Sequence, residues 1–139
     1  MTELHQGSCL CGEIKFEIEG DFEGLYLCHC KFCQKDTGSA HASNAFSSKA
    51  KVRWLTSTQK IQSFHLDNTR HKKSFCLNCG SALPSLHRDG TLLVVPVGSL
   101  DSKLEIKPTA HIFYSSRASW DNDLESVKKF ETYAKEVTG

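Results

Sequence analysis

Seven cysteines fall into three tight groups, and their spacing is the feature of the chain that bears most directly on chemistry. Cys28, Cys30 and Cys33 lie in "CHCKFC", Cys9 and Cys11 in "GSCLCGE", and Cys76 and Cys79 in "SFCLNCG". Two residues between cysteines let the chain loop so that both sulfurs aim at one ion. Loop N–H groups can then hydrogen-bond the thiolates, and Gly80 can take the conformation that closes the turn. Cys9, Cys11, Cys76 and Cys79 together make four thiolates, a common version of the four-ligand Cys and His sites of structural zinc, and such a site couples metal binding to folding. Cys28, Cys30 and Cys33 remain. Three protein ligands and one open position is how catalytic zinc sites are built, so the fourth ligand is expected to be water or substrate. A divalent ion on three thiolates carries a net negative charge, which weakens it as a Lewis acid. It suits the delivery of a bound thiol as thiolate, and the same charge predicts a labile second zinc.

Other readings of these residues stand beside that one. Cys76 and Cys79 could form a redox dithiol, although the βαβ pattern of a thioredoxin-like chain is missing. The Cys28, Cys30 and Cys33 group could be buried apolar thiols, or a closed site completed by His29 or His41. Candidate substrate or cofactor contacts near the open group are His29, Gln34, Thr37, Ser39 and His41, with Lys31 and Lys35 as candidates for carboxylate recognition. Thr37 and Ser39 also fit ordinary turn chemistry around Gly38.

The elements that must position these groups are mainly strands. "EIKFEIE" alternates, with Ile14, Phe16 and Ile18 on one face and charged residues on the other. "LYLCHC" reads as a strand that delivers Cys28 and Cys30 on one face at i, i+2. "KFCQKDTGS" turns, through about one helical turn ended near Gly38. Short strands follow at "HASNAF", "KVRWL", "KIQSFHL", "KKSFC", "SALPSLH", "TLLVVPVGS" and "HIFYSS". One longer helix is expected over "DNDLESVKKFETYAKEV", capped by Asp121 or Asn122, with Leu124, Val127, Phe130 or Glu131, Ala134 and Val137 near helical spacing. Asp101 reads as a turn cap and Trp120 as packing on the edge of the core. The expectation is one mainly-β domain over residues 1–139 with zinc knuckles and a C-terminal helix.

Composition narrows the function classes. The formal net charge is +1, which leaves no basic stripe for nucleic acid. No apolar run is long enough to span a bilayer, and "MTELHQGSCLCGE" lacks the apolar region of a signal peptide. The expected compartment is the cytoplasm, where an odd number of thiols stays reduced and a disulfide framework is disfavoured.

The order "GSCLCGEIKFEIEG", "CHCKFCQKDTGS", "SFCLNCGSAL", "VGSLD" and "PTAHIFYSSRASW" resembles the glutathione-dependent formaldehyde-activating enzyme family, whose domain is also found in centromere protein V. The resemblance implies a β-tent of antiparallel sheets, related to the zinc-binding Rab accessory factor fold. It implies a structural zinc on Cys9, Cys11, Cys76 and Cys79 and a second zinc on Cys28, Cys30 and Cys33. It also implies condensation of formaldehyde with glutathione to S-hydroxymethylglutathione, a carbon–sulfur lyase reaction in reverse. A protein-binding module stabilised by zinc, and a thiol/zinc redox sensor without turnover, are the other functions such a chain could serve.

Overall fold

The alternation of residues 13–19 becomes strand β2, Lys15–Glu19, in the computed structural model, which describes residues 3–134. Ile14, Phe16 and Ile18 are essentially solvent-free, as their period-2 placement requires. β2 lies between β1, Leu4–Ser8, and β5, Lys51–Trp54, in an antiparallel three-stranded sheet. Its outward face is not wholly wet: Glu17 is buried and receives two hydrogen bonds from Arg53 at 3.0 and 3.1 Å.

The largest sheet has five strands. β3, Gly24–Cys28, pairs antiparallel with β4, Ala42–Ser47, so that Cys28 sits opposite Ala42. The connection between them carries the single α-helix of the described residues, α1, Lys31–Thr37. The third sheet comprises β6, Ile61–His65, β7, Lys72–Cys76, and β8, Ala82–Leu83. β9, Ser85–His87, and β10, Leu92–Pro96, extend the large sheet beyond β4. Pro84 divides the expected strand at "SALPSLH" in two, because a proline cannot donate to the ladder. β11, Ala110–Ile112, closes the other edge of the large sheet, parallel to β3, with Ile112 opposite Cys28. The fold is mainly β, as expected, and its sheets are antiparallel except at β11.

The core joins these layers. Phe16, Ile14 and Ile18 pack in one cluster with Leu83, Leu93 and Val95, and Cys9 and Cys76 are members of the same cluster. Four sequence expectations need correction. β3 ends at Cys28, so Cys28 and Cys30 do not share a strand face; Cys30 is the N-cap of α1 and its sulfur accepts from the Cys33 N–H at 3.3 Å. The expected C-terminal helix is not formed over Asp121–Ala134, where the only helical element is a 3-10 turn at Leu124–Ser126. Val127, Phe130 and Tyr133 there are exposed, so the apolar stripe meets no core, and a short helix without tertiary packing is marginal in water. The remainder of that expected helix, including Val137, lies outside the described residues. Trp120 is 61% exposed and does not pack the core edge. Asp101 accepts a hydrogen bond from Ser8 Oγ at 2.6 Å and donates its N–H to Gln6 O, so it fastens "GSLD" to β1 rather than capping a local turn.

Candidate metal centres and the cleft beside Cys33

The two ends of the first cluster arrive from opposite parts of the chain. Cys9 and Cys11 lie in the turn between β1 and β2; Cys76 ends β7 and Cys79 lies in the knuckle that leads to β8. The knuckle closes through the Gly80 N–H to Cys76 O at 2.7 Å, with Gly80 at φ 76°, a region that disfavours a side chain. The Leu10 N–H donates to Ser81 Oγ at 3.0 Å and holds the two turns against each other.

The sulfurs of Cys9, Cys11, Cys76 and Cys79 all lie within 4.8 Å of one another. A tetrahedral ion with Zn–S arms of about 2.3 Å needs sulfur–sulfur edges of about 3.8 Å. The Cys9–Cys11 and Cys11–Cys76 sulfurs are 3.5 and 3.9 Å apart, so the donor set fits such an ion. All seven thiols are free of disulfides. Backbone donors also surround the sulfurs: the Ile14 N–H lies 3.2 Å from Cys9 Sγ. Burial pushes the Cys79 thiol up, but the N–H groups of Cys11 and Ser81 outweigh it and bring it down to about 6. The Asn78 side chain, and then the Glu13 N–H, lower Cys11. The Cys79 N–H favours the Cys76 thiolate, yet burial and the adjacent sulfurs prevail and push that thiol up to about 11.

Cys28, Cys30 and Cys33 form the second cluster, also with their sulfurs within 4.8 Å of one another. The end of β3, the N-cap and the first turn of α1 bring them together, so a strand-to-helix corner replaces the expected strand face. Burial is the first cause that raises the Cys28 and Cys33 thiols, and Cys33 is pushed far above the ordinary range. Without a cation these thiols stay protonated near neutrality and are poor nucleophiles. The donor set fits a soft divalent ion, and no fourth protein ligand joins it among the described residues.

Cys33 opens onto a cleft of about 960 Å³. Ala42, Asn44 and Phe46 of β4 and Val94 and Pro96 of β10 line it at i, i+2 spacing, from one face of the large sheet. Asp36 and Thr37 of α1 close it beside Cys33, and Arg70, Lys72, Lys73 and Arg88 outnumber Asp36 and Asp89 in its lining, which gives it a net basic rim.

The other site candidates divide. His29 is 1% exposed and projects away from Cys28, with Nε2 at 2.8 Å from His111 Nδ1. Its Nδ1 lies 3.1 Å from Asp121 Oδ2, an approach outside hydrogen-bond alignment. Burial first, and then His41, lower the pKa of His29, so the ring is neutral at pH 7. His29 and His41 thus belong to an aromatic cluster with His111 and Tyr114. Thr37 Oγ1 donates to Cys33 O at 2.8 Å and accepts from the Ser39 N–H at 3.2 Å, which is turn chemistry at the end of α1. Gln34 donates to the carbonyls of His29 and Ser116 and ties α1 to the segment after β11. Lys31 and Lys35 are exposed and do not line the cleft. Asp36, His71 and Asn44 do line it, and sequence reasoning missed them because no local motif marks them.

A three-sheet β protein with a closed four-thiol cluster and an open three-thiol cluster at the head of a cleft belongs to the class of cysteine-rich proteins with two candidate metal centres. The family model for the glutathione-dependent formaldehyde-activating enzyme matches residues 4–116, and the chain belongs to that family. Among solved structures, the chain is similar to a crystal structure of a Rhodobacter sphaeroides protein from a structural-genomics programme. That likeness has a TM-score of 0.60 at 21% identity and covers 76% of this chain and 98% of the other, so it supports the fold alone. Comparison with curated proteins returns no match. No helix among the described residues is long and apolar enough to cross a membrane.

Proposed function

We propose that this protein makes and breaks the carbon–sulfur bond between a small thiol, glutathione in the first place, and formaldehyde. In the forward direction the thiol and aldehyde give S-hydroxymethylglutathione; in reverse the reaction is that of a carbon–sulfur lyase. The observation that carries this reading is the three-thiol cluster whose Cys33 lines the cleft. Cys28, Cys30 and Cys33 would hold one zinc and Cys9, Cys11, Cys76 and Cys79 another. At the three-thiolate position the bound ion would supply an open coordination place that lowers the pKa of an incoming thiol. The chain's own groups do the rest. The apolar floor excludes water from the reacting atoms, the Asn44 amide offers a donor and an acceptor, and the basic rim attracts the carboxylates of the peptide thiol. A reducing compartment such as the cytoplasm suits the free thiols.

Metal analysis tests the reading. Wild type should hold two zinc ions per chain, and a variant with Cys28, Cys30 and Cys33 all changed to Ser should hold one and stay folded. Added glutathione should alter the exchange of the second zinc only. One zinc in both proteins would remove the reading and favour a protein-binding module. Two zinc ions with no acceleration of adduct formation, and release of the second on oxidation, would favour the redox sensor.

A further inference from the structure

Asp36 and His71 are 35 residues apart in sequence and meet at the cleft, with His71 Nε2 2.8 Å from Asp36 Oδ2. Both side chains are 17% exposed, so the pair is largely shielded yet reachable. The carboxylate is held at both ends, because Asp36 Oδ1 pairs with Lys73 Nζ at 2.8 Å. Asp36 sits one helical turn after Cys33 on α1, so the helix that supplies a thiol of the open cluster also supplies the carboxylate. A carboxylate on one ring nitrogen fixes the tautomer: Nε2 carries the proton and donates to Asp36, and Nδ1 keeps its lone pair. Phe32 packs beside the ring, with centroids 5.8 Å apart.

We infer that His71 is the general acid–base of the cleft and that Asp36 positions it. The inference rests on the thiol–aldehyde reaction proposed above. That reaction moves one proton from sulfur to oxygen and needs nothing else to balance. As the sulfur lone pair forms the C–S bond, the thiol proton passes to His71 Nδ1, and the carbonyl π electrons move onto oxygen. The same nitrogen then returns the proton to that oxygen, which gives the hydroxymethyl group and restores the neutral ring. In reverse, His71 takes the hydroxyl proton, the C–S bond breaks, and the departing sulfur takes the proton back. Simple pairing of α1 with β7 needs only the Asp36–Lys73 contact. It does not call for an imidazole in the wall of the cleft whose Nδ1 has no hydrogen-bond partner among the described residues.

The groups around His71 that bear on its protonation are Asp36 from α1, Lys72 and Lys73 from β7, His65 from β6 and His87 from β9. Burial first, and then Lys72, His71 and His65, lower the pKa of His87, which keeps that ring neutral.

The test measures exchange between glutathione and S-hydroxymethylglutathione by NMR in zinc-loaded wild type, His71→Ala and Asp36→Asn, across pH, with zinc per chain in parallel. Loss of a general acid–base costs about 10²-fold or more. His71→Ala should lose that much in rate with its zinc content unchanged and with the acid limb of the rate per bound zinc gone. Free imidazole should restore part of the rate. Asp36→Asn, isosteric with the native residue, should lose less and shift the profile; it carries the test alone should His71→Ala not fold. Equal rates and profiles in wild type and variants would overturn the dyad and leave the proposed function standing. A loss that tracks zinc loss and is not rescued by imidazole would overturn it as well. Wild type no faster than the unaided reaction would overturn both.

Discussion

Two thiols of the open cluster, Cys28 and Cys33, hold their protons harder than an ordinary cysteine. Burial raises Cys28 and Cys33; in the closed cluster hydrogen bonds lower Cys11 and, against burial, Cys79, while Cys76 is pushed up to about 11. A metal that binds thiols must displace those protons, so its retention weakens as pH falls. The sign is the same at both clusters, but the open one has two raised thiols and none lowered, against one raised and two lowered in the closed one, and it has one ligand fewer. Lowering the pH from about 8 to about 5 in the presence of a chromogenic chelator should therefore release metal in two steps. The first step should come from Cys28, Cys30 and Cys33, and it should be missing in the triple Ser variant. Release in one step that the variant leaves unchanged would show that the open cluster holds no separate ion.

At the scale of elements, β1 is held close to its neighbours through Gly7. A Cβ there would lie 2.2 Å from Phe16 Cζ and 2.7 Å from the Ser99 carbonyl oxygen. Phe16 is fully buried and the second neighbour is backbone, so neither can yield cheaply. Gly7→Ala should destabilise the fold by about 1–3 kcal/mol, read as a lower midpoint in denaturant at unchanged metal content. A second element test concerns residues 121–134. A proline inside a helix costs about 3 kcal/mol, but Lys128 follows an extended Val127 and lies outside regular structure. Lys128→Pro should leave the thermal midpoint and the far-UV circular dichroism unchanged; loss of helical signal would restore the helix that the sequence suggests. The contrast with β2 explains what the sequence makes legible. At Ile14, Phe16 and Ile18 the periodic pattern faces a real core, so pattern and structure agree. At Leu124, Val127 and Phe130 a periodic pattern exists with no partner surface, and periodicity alone cannot supply one. The three cysteine groups were legible because spacing within each is local, and their pairing into two clusters because four ligands plus three leave none over. The cleft was not, because Cys33, Asp36, Asn44 and His71 meet only through long-range pairing of sheets.

Across the whole molecule the two clusters have different mechanical roles. Cys9 and Cys76 are 4% and 0% exposed and pack in the same core as Phe16, Leu83 and Val95. A metal on that cluster would tie the β1–β2 turn to the β7–β8 hairpin, and so join one three-stranded sheet to the other across the core. The open cluster sits at a corner between β3 and α1, whose other ties include Gln34 to His29 and Ser116 and Asp36 to His71 and Lys73. Those ties do not use the three sulfurs. Cys76→Ser replaces a core sulfur by a hydroxyl and breaks a four-ligand site, so its cost adds a lost metal to a buried polar group. Cys33→Ser removes one ligand of three at a cluster outside the main core. Thermal unfolding after brief chelation should separate these roles. Wild type stripped only of its weaker metal should unfold within a few degrees of untreated protein, and Cys33→Ser should behave alike. Cys76→Ser, or wild type stripped of both metals, should lose its cooperative transition. Equal losses at the two clusters would mean that the division into a structural and an exchangeable centre is wrong.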